Sequence, residues 1–360
     1  MPKLFEITGE WSSLEWFNTG GTRAKKYLQS SVDGKYYYFK RSQYKDPVGD
    51  KPGKDFKYEF WSEIIAFELG TLLGFNVLRY DIATDGAIMG CISESMINSE
   101  KEELIEGVKF LQGYSRKYDP ALREHQTWYT FQFIESALKS AKIRWEVLNQ
   151  LVEIVVFDAL IGNGDRHQEN WAIISKPILI SNPHSKKGKD GSVKFAKYDR
   201  AVQKSIKNIL SQFKKTGKKP PKEFYVNENI FAPIYDSGSS LGRELTEKDV
   251  ERYCLSDKAL EKYIGKGNSE IHWKDKKVNH FELIDHLLDS RYKKQLREIW
   301  KRVNRKWDEN AIGAIIANVD SLVPEQYKGY KIPDQRKELI FKILTHRKRT
   351  LEVLFNERIR

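Results

Sequence analysis

Apolar residues recur at helical spacing over 58–73, at Trp61, Ile64, Ile65, Leu69, Leu72 and Leu73, and Gly74 stands where a left-handed C-cap belongs. The spacing predicts one strong helix. Around it the pattern is that of strands: residues 26–30 and 35–41 flank the hairpin dipeptide Asp33-Gly34, and the apolar runs 77–83 and 87–93 are parted by Thr84-Asp85-Gly86. A small sheet of four or five strands is expected, with the helix packed on its hairpin. From about residue 100 the pattern turns helical, and Leu148, Leu151, Val152, Val155, Val156 and Leu160 form a stripe that stops before Gly162. Beyond residue 280 successive amphipathic helices are interrupted near Pro324 and Pro333. The expected architecture is α+β and bilobal, with a β-rich N-lobe over 1–97 and a helical C-lobe over 98–360.

Residues 181–228 depart from this pattern. They are lysine-rich, carry Gly188, Gly191, Gly217 and Pro220-Pro221, and suggest an exposed basic insertion. Val202, Ile206, Ile209, Leu210 and Phe213 would share one face if its middle were helical. No internal repeat or low-complexity tract interrupts the chain.

Composition narrows the class. At 360 residues and 40% hydrophobic content the chain can bury one large core or two lobes around a cleft. Its net charge of +12 suits an anionic partner, whether nucleotide, nucleic acid, acidic protein or membrane surface. Two cysteines, Cys91 and Cys254, are too few for a disulfide framework and support no metal site, which makes a reducing cytosol the simplest compartment. The N-terminus lacks a signal-peptide apolar stretch, and no run of about 18 apolar residues occurs, so a cytoplasmic protein is expected. Delivery to another cell stays open.

The sharpest chemical signal is Gly162-Asn163-Gly164-Asp165-Arg166-His167-Gln168-Glu169-Asn170, between the apolar helix and the strand-like run 171–174. Phosphoryl transfer needs a carboxylate to orient the attacking hydroxyl and take its proton, with an oxygen ligand nearby for magnesium. Asp165 and Asn170 have that spacing, although Asn-Gly-Asp alone is also an ordinary tight turn. A second signal is Phe231-Ala232-Pro233-Ile234-Tyr235-Asp236-Ser237-Gly238, an apolar strand ending in an acid that suits a hard cation. Pairing of 171–174 with 231–235 as a hairpin would bring Asn170 and Asp236 together whatever lies at its tip. Tyr198-Asp199 is a competing acid, but no glycine follows it.

The first lobe offers phosphate-handling residues in order: Thr19-Gly20-Gly21-Thr22 before a strand, Lys40 at the end of the next strand, and Glu63 within the helix. Glu59, one turn away, could pair with Lys40 instead. Glu94-Ser95-Met96 would connect the lobes, where adenine meets backbone groups. His167 has no second histidine at ligand spacing and suits a loop-bonding role beside the nucleotide. Arg166 and Arg243 could contact phosphate or pair with acids.

With these residues in view, the chain resembles the HipA-type serine/threonine kinases, the compact CtkA-like members above all. Thr19 to Arg23, Phe39-Lys40, Glu63 with Leu69 and Gly74, Asn163 to Asn170, and Ala232 to Asp236 carry the resemblance, in family order. It implies an atypical protein-kinase fold whose catalytic loop runs Asp-Arg-His. Asp165 would be the base, Asn170 and Asp236 the Mg2+ ligands, and Lys40, paired with Glu63, the holder of ATP phosphates. Gly20, Gly21, Thr22, Glu94, Met96 and His167 would surround the nucleotide, and Thr19 and Thr22 would be candidate autophosphorylation sites. The chain begins close to the glycine-rich loop, without the N-terminal subdomain of longer members, which puts an antitoxin partner in doubt. The basic 181–228 stretch exceeds what the family pattern requires.

The expectation is an ATP- and magnesium-dependent serine/threonine kinase acting on itself and on an unidentified protein. A phosphoinositide kinase also fits the Asp-Arg-His loop and basic surface. A pseudokinase or basic nucleic-acid-binding protein has the least support, since no aromatic and basic nucleic-acid motif is evident, and no strong membrane signal occurs.

Overall fold

The computed structural model describes residues 2–14, 25–45, 53–97, 101–181, 200–219 and 221–359. Its N-lobe is a curled sheet built from β1 (Leu4–Ile7), β2 (Trp11–Ser13), β3 (Lys25–Ser30) and β4 (Tyr36–Arg41), followed by the short pair β5 (Tyr44–Lys45) and β6 (Lys54–Asp55). Helix α1 (Glu59–Leu73) comes next, then β7 (Asp81–Asp85) and β8 (Ile88–Glu94). The main sheet has six strands in the order β1-β7-β8-β4-β3-β2, with β1 parallel to β7 and the remaining pairs antiparallel.

Six strands exceed the four or five expected, because the short edge strands β1 and β2 carry too little alternation to be seen alone. The β3–β4 hairpin turns at Gly34, whose φ of 70° is the left-handed conformation that its missing Cβ permits. The second hairpin is shorter than its apolar pattern: residues 77–80 leave the ladder, and Val77 instead makes an isolated parallel bridge to Ile234.

Helix α1 stops at Gly74 (φ 79°), where the Phe75 N–H bonds Gly70 O at 2.8 Å. It is buried on more than one side because it lies between the sheet and the helical body, and Trp61 Nε1 donates to Tyr330 O at 2.7 Å. One core therefore runs from Phe60, Trp61 and Ile64 through Leu151, Val155 and Phe157 to Leu296 and Phe355.

The remaining elements are β9 (Glu103–Glu106), α2 (Gly107–Tyr114), α3 (Phe131–Ser140), α4 (Trp145–Ile161), β10 (Ala172–Ser181), α5 (Arg200–Lys215) and β11 (Glu223–Phe231). Then come α6 (Glu247–Leu255), α7 (Asp257–Gly265), α8 (His280–Leu288), α9 (Lys293–Lys306), α10 (Glu309–Asn318) and α11 (Asp334–Ile359). A 3-10 turn at Glu325–Tyr330 separates the last two helices, between Pro324 and Pro333.

The ladder behind the site joins the two runs expected to pair, but it extends away from the site. Strands β10 and β11 pair from Ile173↔Phe231 to Ser181↔Glu223, so only Phe231 of the 231–235 run belongs to it. Much of the 181–228 stretch is consequently ordered structure. Helix α5 lays Val202, Ile206, Ile209 and Leu210 against Ile180 and Val226 in a small core of its own. Among the described residues no helix is long and apolar enough to cross a membrane.

Candidate active site

The loop after α4 is shaped by what ends that helix. Gly162 (φ 72°) adopts the left-handed conformation, and the N–H groups of Gly162 and Asn163 both bond Asp158 O, at 2.8 and 3.0 Å. Arg166 then pins the loop. Only 1% exposed, it donates to Asp158 from Nε (2.9 Å) and Nη2 (2.8 Å), to Asn170 O from Nη1 (2.8 Å), to Tyr235 O from Nη1, and to Ser237 Oγ from Nη2 (3.3 Å). One guanidinium thus ties helix α4 to both chemical segments, the 163–170 loop and residues 235–237. Desolvating the pair is costly, and the fork geometry with every donor engaged is what offsets it. Arg166 is therefore a structural cation and not a phosphate ligand.

Three further buried groups hold the loop. The Tyr129 hydroxyl donates to Arg166 O at 2.9 Å, and Asn163 joins its Nδ2 to Asp158 Oδ1 (3.1 Å) and its Oδ1 to the Asp165 N–H (3.3 Å). His280 Nε2 lies 2.8 Å from Asn163 O, and Nδ1 lies 3.0 Å from Gly267 O and 3.1 Å from Arg347 Nη2. Burial, reinforced by the Arg347 guanidinium and only partly opposed by Asn163 O, Gly267 O and Asp158, pushes the imidazole down to about 4.

A folded-state pKa below the unfolded one means that the unfolded chain takes up the proton first. Stability from His280 is complete above the ordinary histidine value of 6.5 and is lost as pH falls toward 4. The expected loss is up to about 3 kcal/mol. Denaturant titrations of wild type and His280→Gln over this range should diverge by that amount; parallel curves would mean that His280 is already charged in the fold.

The chemical groups converge from β4, α1 and the segments around Tyr80, Asp165 and Asp236. Lys40, near the end of β4 and 8% exposed, places Nζ 3.5 Å from Glu63 Oε1, 3.3 Å from Asp236 Oδ1 and 3.2 Å from the Tyr80 hydroxyl. Burial alone would depress its pKa, but Asp236, Tyr80 and Glu63 outweigh that and hold it well above the usual lysine range. Glu63 is 2% exposed and its Oε2 accepts from the Ser237 N–H at 2.7 Å. Glu59, also buried, goes elsewhere: it accepts from Arg243 Nη1 at 2.5 Å and from the Gln43 N–H at 3.0 Å.

Asp236 has φ 56°, an unfavourable conformation for a residue with a Cβ. It is held there from both sides. The Leu78 N–H bonds Ile234 O and the Ile234 N–H bonds Asn76 O, each at 2.8 Å, while the Asp236 N–H reaches the Tyr80 hydroxyl at 3.4 Å. Asp165, half-buried, accepts from Ser239 Oγ at 3.1 Å, and Ser239 Oγ in turn accepts from Arg243 Nη2 at 2.8 Å. Asn170 spends Nδ2 on Asp165 O at 2.7 Å, which leaves Oδ1 as its acceptor.

The other predicted residues are placed as follows. Met96 packs with Ala172, Ile174, Ala232 and Tyr235 in an apolar cluster beside the Asp236 segment. The Glu94 side chain turns to Lys35 at 2.8 Å, and His167 Nδ1 accepts from the Glu169 N–H at 3.3 Å, a bond within the loop. Thr19, Gly20, Gly21, Thr22 and the competing Asp199 lie outside the described residues. Sequence reasoning passed over Tyr80, Asp158, Ser239 and His280. Of these only Asp158 had a signal, as the one acid in the apolar run 154–161.

The donor set fits a nucleotide-bound magnesium. A carboxylate from Asp236 and an amide oxygen from Asn170 are hard ligands, and Arg166 Nη1 joins their two segments by donating to both Asn170 O and Tyr235 O.

A curled sheet carrying a buried Lys–Glu pair, set on a helical body that presents an Asp–Asn loop, is a protein-kinase-like fold. It matches the crystal structure of the Helicobacter pylori proinflammatory kinase CtkA with a TM-score of 0.67 and 17% identity, over 99% of this chain and 98% of that one. CtkA is of the kind that the sequence motifs resemble. A chain of the Shewanella oneidensis toxin–antitoxin complex of HipA, HipB and operator DNA is a more distant likeness, with a TM-score of 0.42 and 12% identity, over 98% of this chain and 67% of that one. No protein-family model and no curated protein matches the sequence.

Proposed function

We propose that this protein is an ATP- and magnesium-dependent serine/threonine protein kinase that also phosphorylates itself. The observation that carries the proposal is the meeting of Lys40, Glu63 and Asp236, from three distant parts of the chain, within hydrogen-bond reach of one ammonium. One ammonium between two carboxylates leaves a surplus negative charge, which suits a divalent cation that arrives with nucleotide phosphates. Asn170 and Asp236 would hold the metal, and Lys40 the phosphate oxygens; bound MgATP would supply the phosphoryl group and the charge neutralisation.

The chain's own residues do the rest. Asp165 orients the acceptor hydroxyl and takes its proton, and Ser239, donating to Oδ2, holds the carboxylate in place. Glu63 aims Lys40 and ties α1 to the Ser237 N–H, so movement of the helix would move Lys40 and the Asp236 segment together. Adenine would lie where residues 94–96 leave the sheet, beside the apolar cluster that Met96 packs against.

The deciding experiment is intact mass after incubation with magnesium and ATP, beside Asp165→Ala. One or more added phosphates in the wild type alone are expected, with Thr19 and Thr22 the first peptides to map. An unmodified wild type that also leaves protein substrates untouched, yet labels phosphoinositide, would replace the reading with a lipid kinase.

A further inference from the structure

A cavity of about 470 Å³ opens beside Asp165, lined among others by Ser239, Gly162, Gly267, Asn268 and Arg347. Arg347 is 3% exposed, yet its partners among the described residues are all neutral. Nε donates to Ala159 O at 2.6 Å, Nη2 lies 3.1 Å from His280 Nδ1, and the Phe281 ring lies 5.0 Å from the guanidinium carbon. Nη1 has no protein acceptor among the described residues, nor is it one of the sealed, unsatisfied buried atoms, so it keeps contact with the cavity. A Cβ on Gly162 would come within 3.3 Å of Nη1 and one on Gly267 within 3.4 Å. The slot that admits this nitrogen thus depends on two glycines.

The contrast with Arg166 decides what this means. Arg166, equally buried, has a bidentate carboxylate; Arg347 has none, and burial, only partly offset by Tyr263 and Asp158, pushes it down to about 10. Bracing the last turn of α4 through Ala159 O uses only Nε. The acids that share the cavity are hydrogen-bonded to other lining residues, Glu244 by the Tyr263 hydroxyl at 2.7 Å and Asp165 by Ser239. The exposed Lys54 and Lys266 add positive charge to the lining. A buried cation without a counter-ion, beside open volume and next to the proposed base, is a site built for an anion.

We propose that this cavity is the acceptor subsite and that Arg347 Nη1 receives a carboxylate or phosphate monoester of the acceptor, an acidic residue beside the target serine or threonine, while the hydroxyl reaches Asp165. The inference rests on the kinase reading above. In the transfer the acceptor oxygen bonds to the γ-phosphorus as that atom's bond to the bridging oxygen breaks; the proton passes to Asp165 and the electron pair leaves with ADP.

Two measurements on the full chain separate this inference from the kinase reading. The first compares kcat/KM for serine peptides flanked by Asp or Glu with the same peptides carrying Asn or Gln. The second follows the melting temperature with O-phospho-L-serine at constant ionic strength. Wild type should favour the acidic peptides by about tenfold or more, the scale of one charge-assisted hydrogen bond. Arg347→Met should lose the preference, read as the ratio of kcat/KM between the two peptide sets whatever overall rate the variant keeps, and phosphoserine should stabilise wild type but not this variant. Should Arg347→Met fail to fold, Asn268→Asp, which adds an opposing charge at an exposed position, should weaken both effects. Equal turnover of both peptide sets without Arg347-dependent stabilisation overturns the acceptor subsite and leaves the kinase standing. Stabilisation by phosphoserine without any peptide turnover keeps the anion site and overturns the protein acceptor; neither effect overturns both.

Discussion

Asp165→Ala is expected to slow phosphoryl transfer by about 10²–10⁴-fold, the range that a positioned general base contributes, while leaving the fold and nucleotide affinity nearly unchanged. The division follows from the geometry. The Asp165 carboxylate is half-buried and accepts from Ser239 Oγ, whereas the loop itself is held through backbone groups, the Asp165 carbonyl taking Asn170 Nδ2 and its N–H reaching Asn163. Those bonds survive loss of the side chain. Single-turnover transfer and nucleotide titration on the same preparation test both halves. A variant that keeps a tenth or more of wild-type transfer would remove Asp165 from the chemistry. One that loses nucleotide binding equally would make it a structural residue.

Lys40→Met should be felt in both stability and binding. It strips the cation from between the Glu63 and Asp236 carboxylates, and Glu63 is buried to 2%. Removing one partner of a buried pair leaves an uncompensated charge and costs about 3–5 kcal/mol; the nucleotide dissociation constant should rise as well, because phosphate would meet two acids without a base. A second substitution tells the two effects apart. Lys40→Met with Glu63→Gln should recover part of the stability and none of the nucleotide affinity, since it removes the stranded charge without restoring a phosphate ligand. Additive losses in the double variant would show that Lys40 and Glu63 do not depend on each other.

How much of this site could be read in advance varied with how local its cause was. The loop from Asn163 to Asn170 was legible because a helix stop, a turn and two polar residues follow one another within a few positions. The acid at 236 was legible because an apolar run ends there. The hairpin behind both was legible in kind but not in extent: Ile173 faces Phe231 and the Ala232 N–H bonds Ala172 O, yet the ladder runs outward to Ser181 and Glu223 and not on to Tyr235. The partner of Lys40 stayed open because Glu59 and Glu63 share a helix face. Packing resolves it: Arg243, stacked on Phe56 at 4.2 Å, claims Glu59, and Lys40 is left to Glu63.

The sequence by itself determined the α+β class, the hairpin at Gly34, the helix that stops at Gly74, the long apolar helix before Gly162 and the order of the chemical motifs. Each depends on periodicity or on a backbone conformation that neighbouring residues dictate. Only the tertiary structure decided which charges meet: Arg166 with Asp158, Arg243 with Glu59, Lys40 with Glu63 and Asp236, and Arg347 with no acid among the described residues. Ion pairs across distant segments leave no periodic trace. A buried charge takes whichever partner the packing of the core brings within reach, and one that is brought none is left for a ligand.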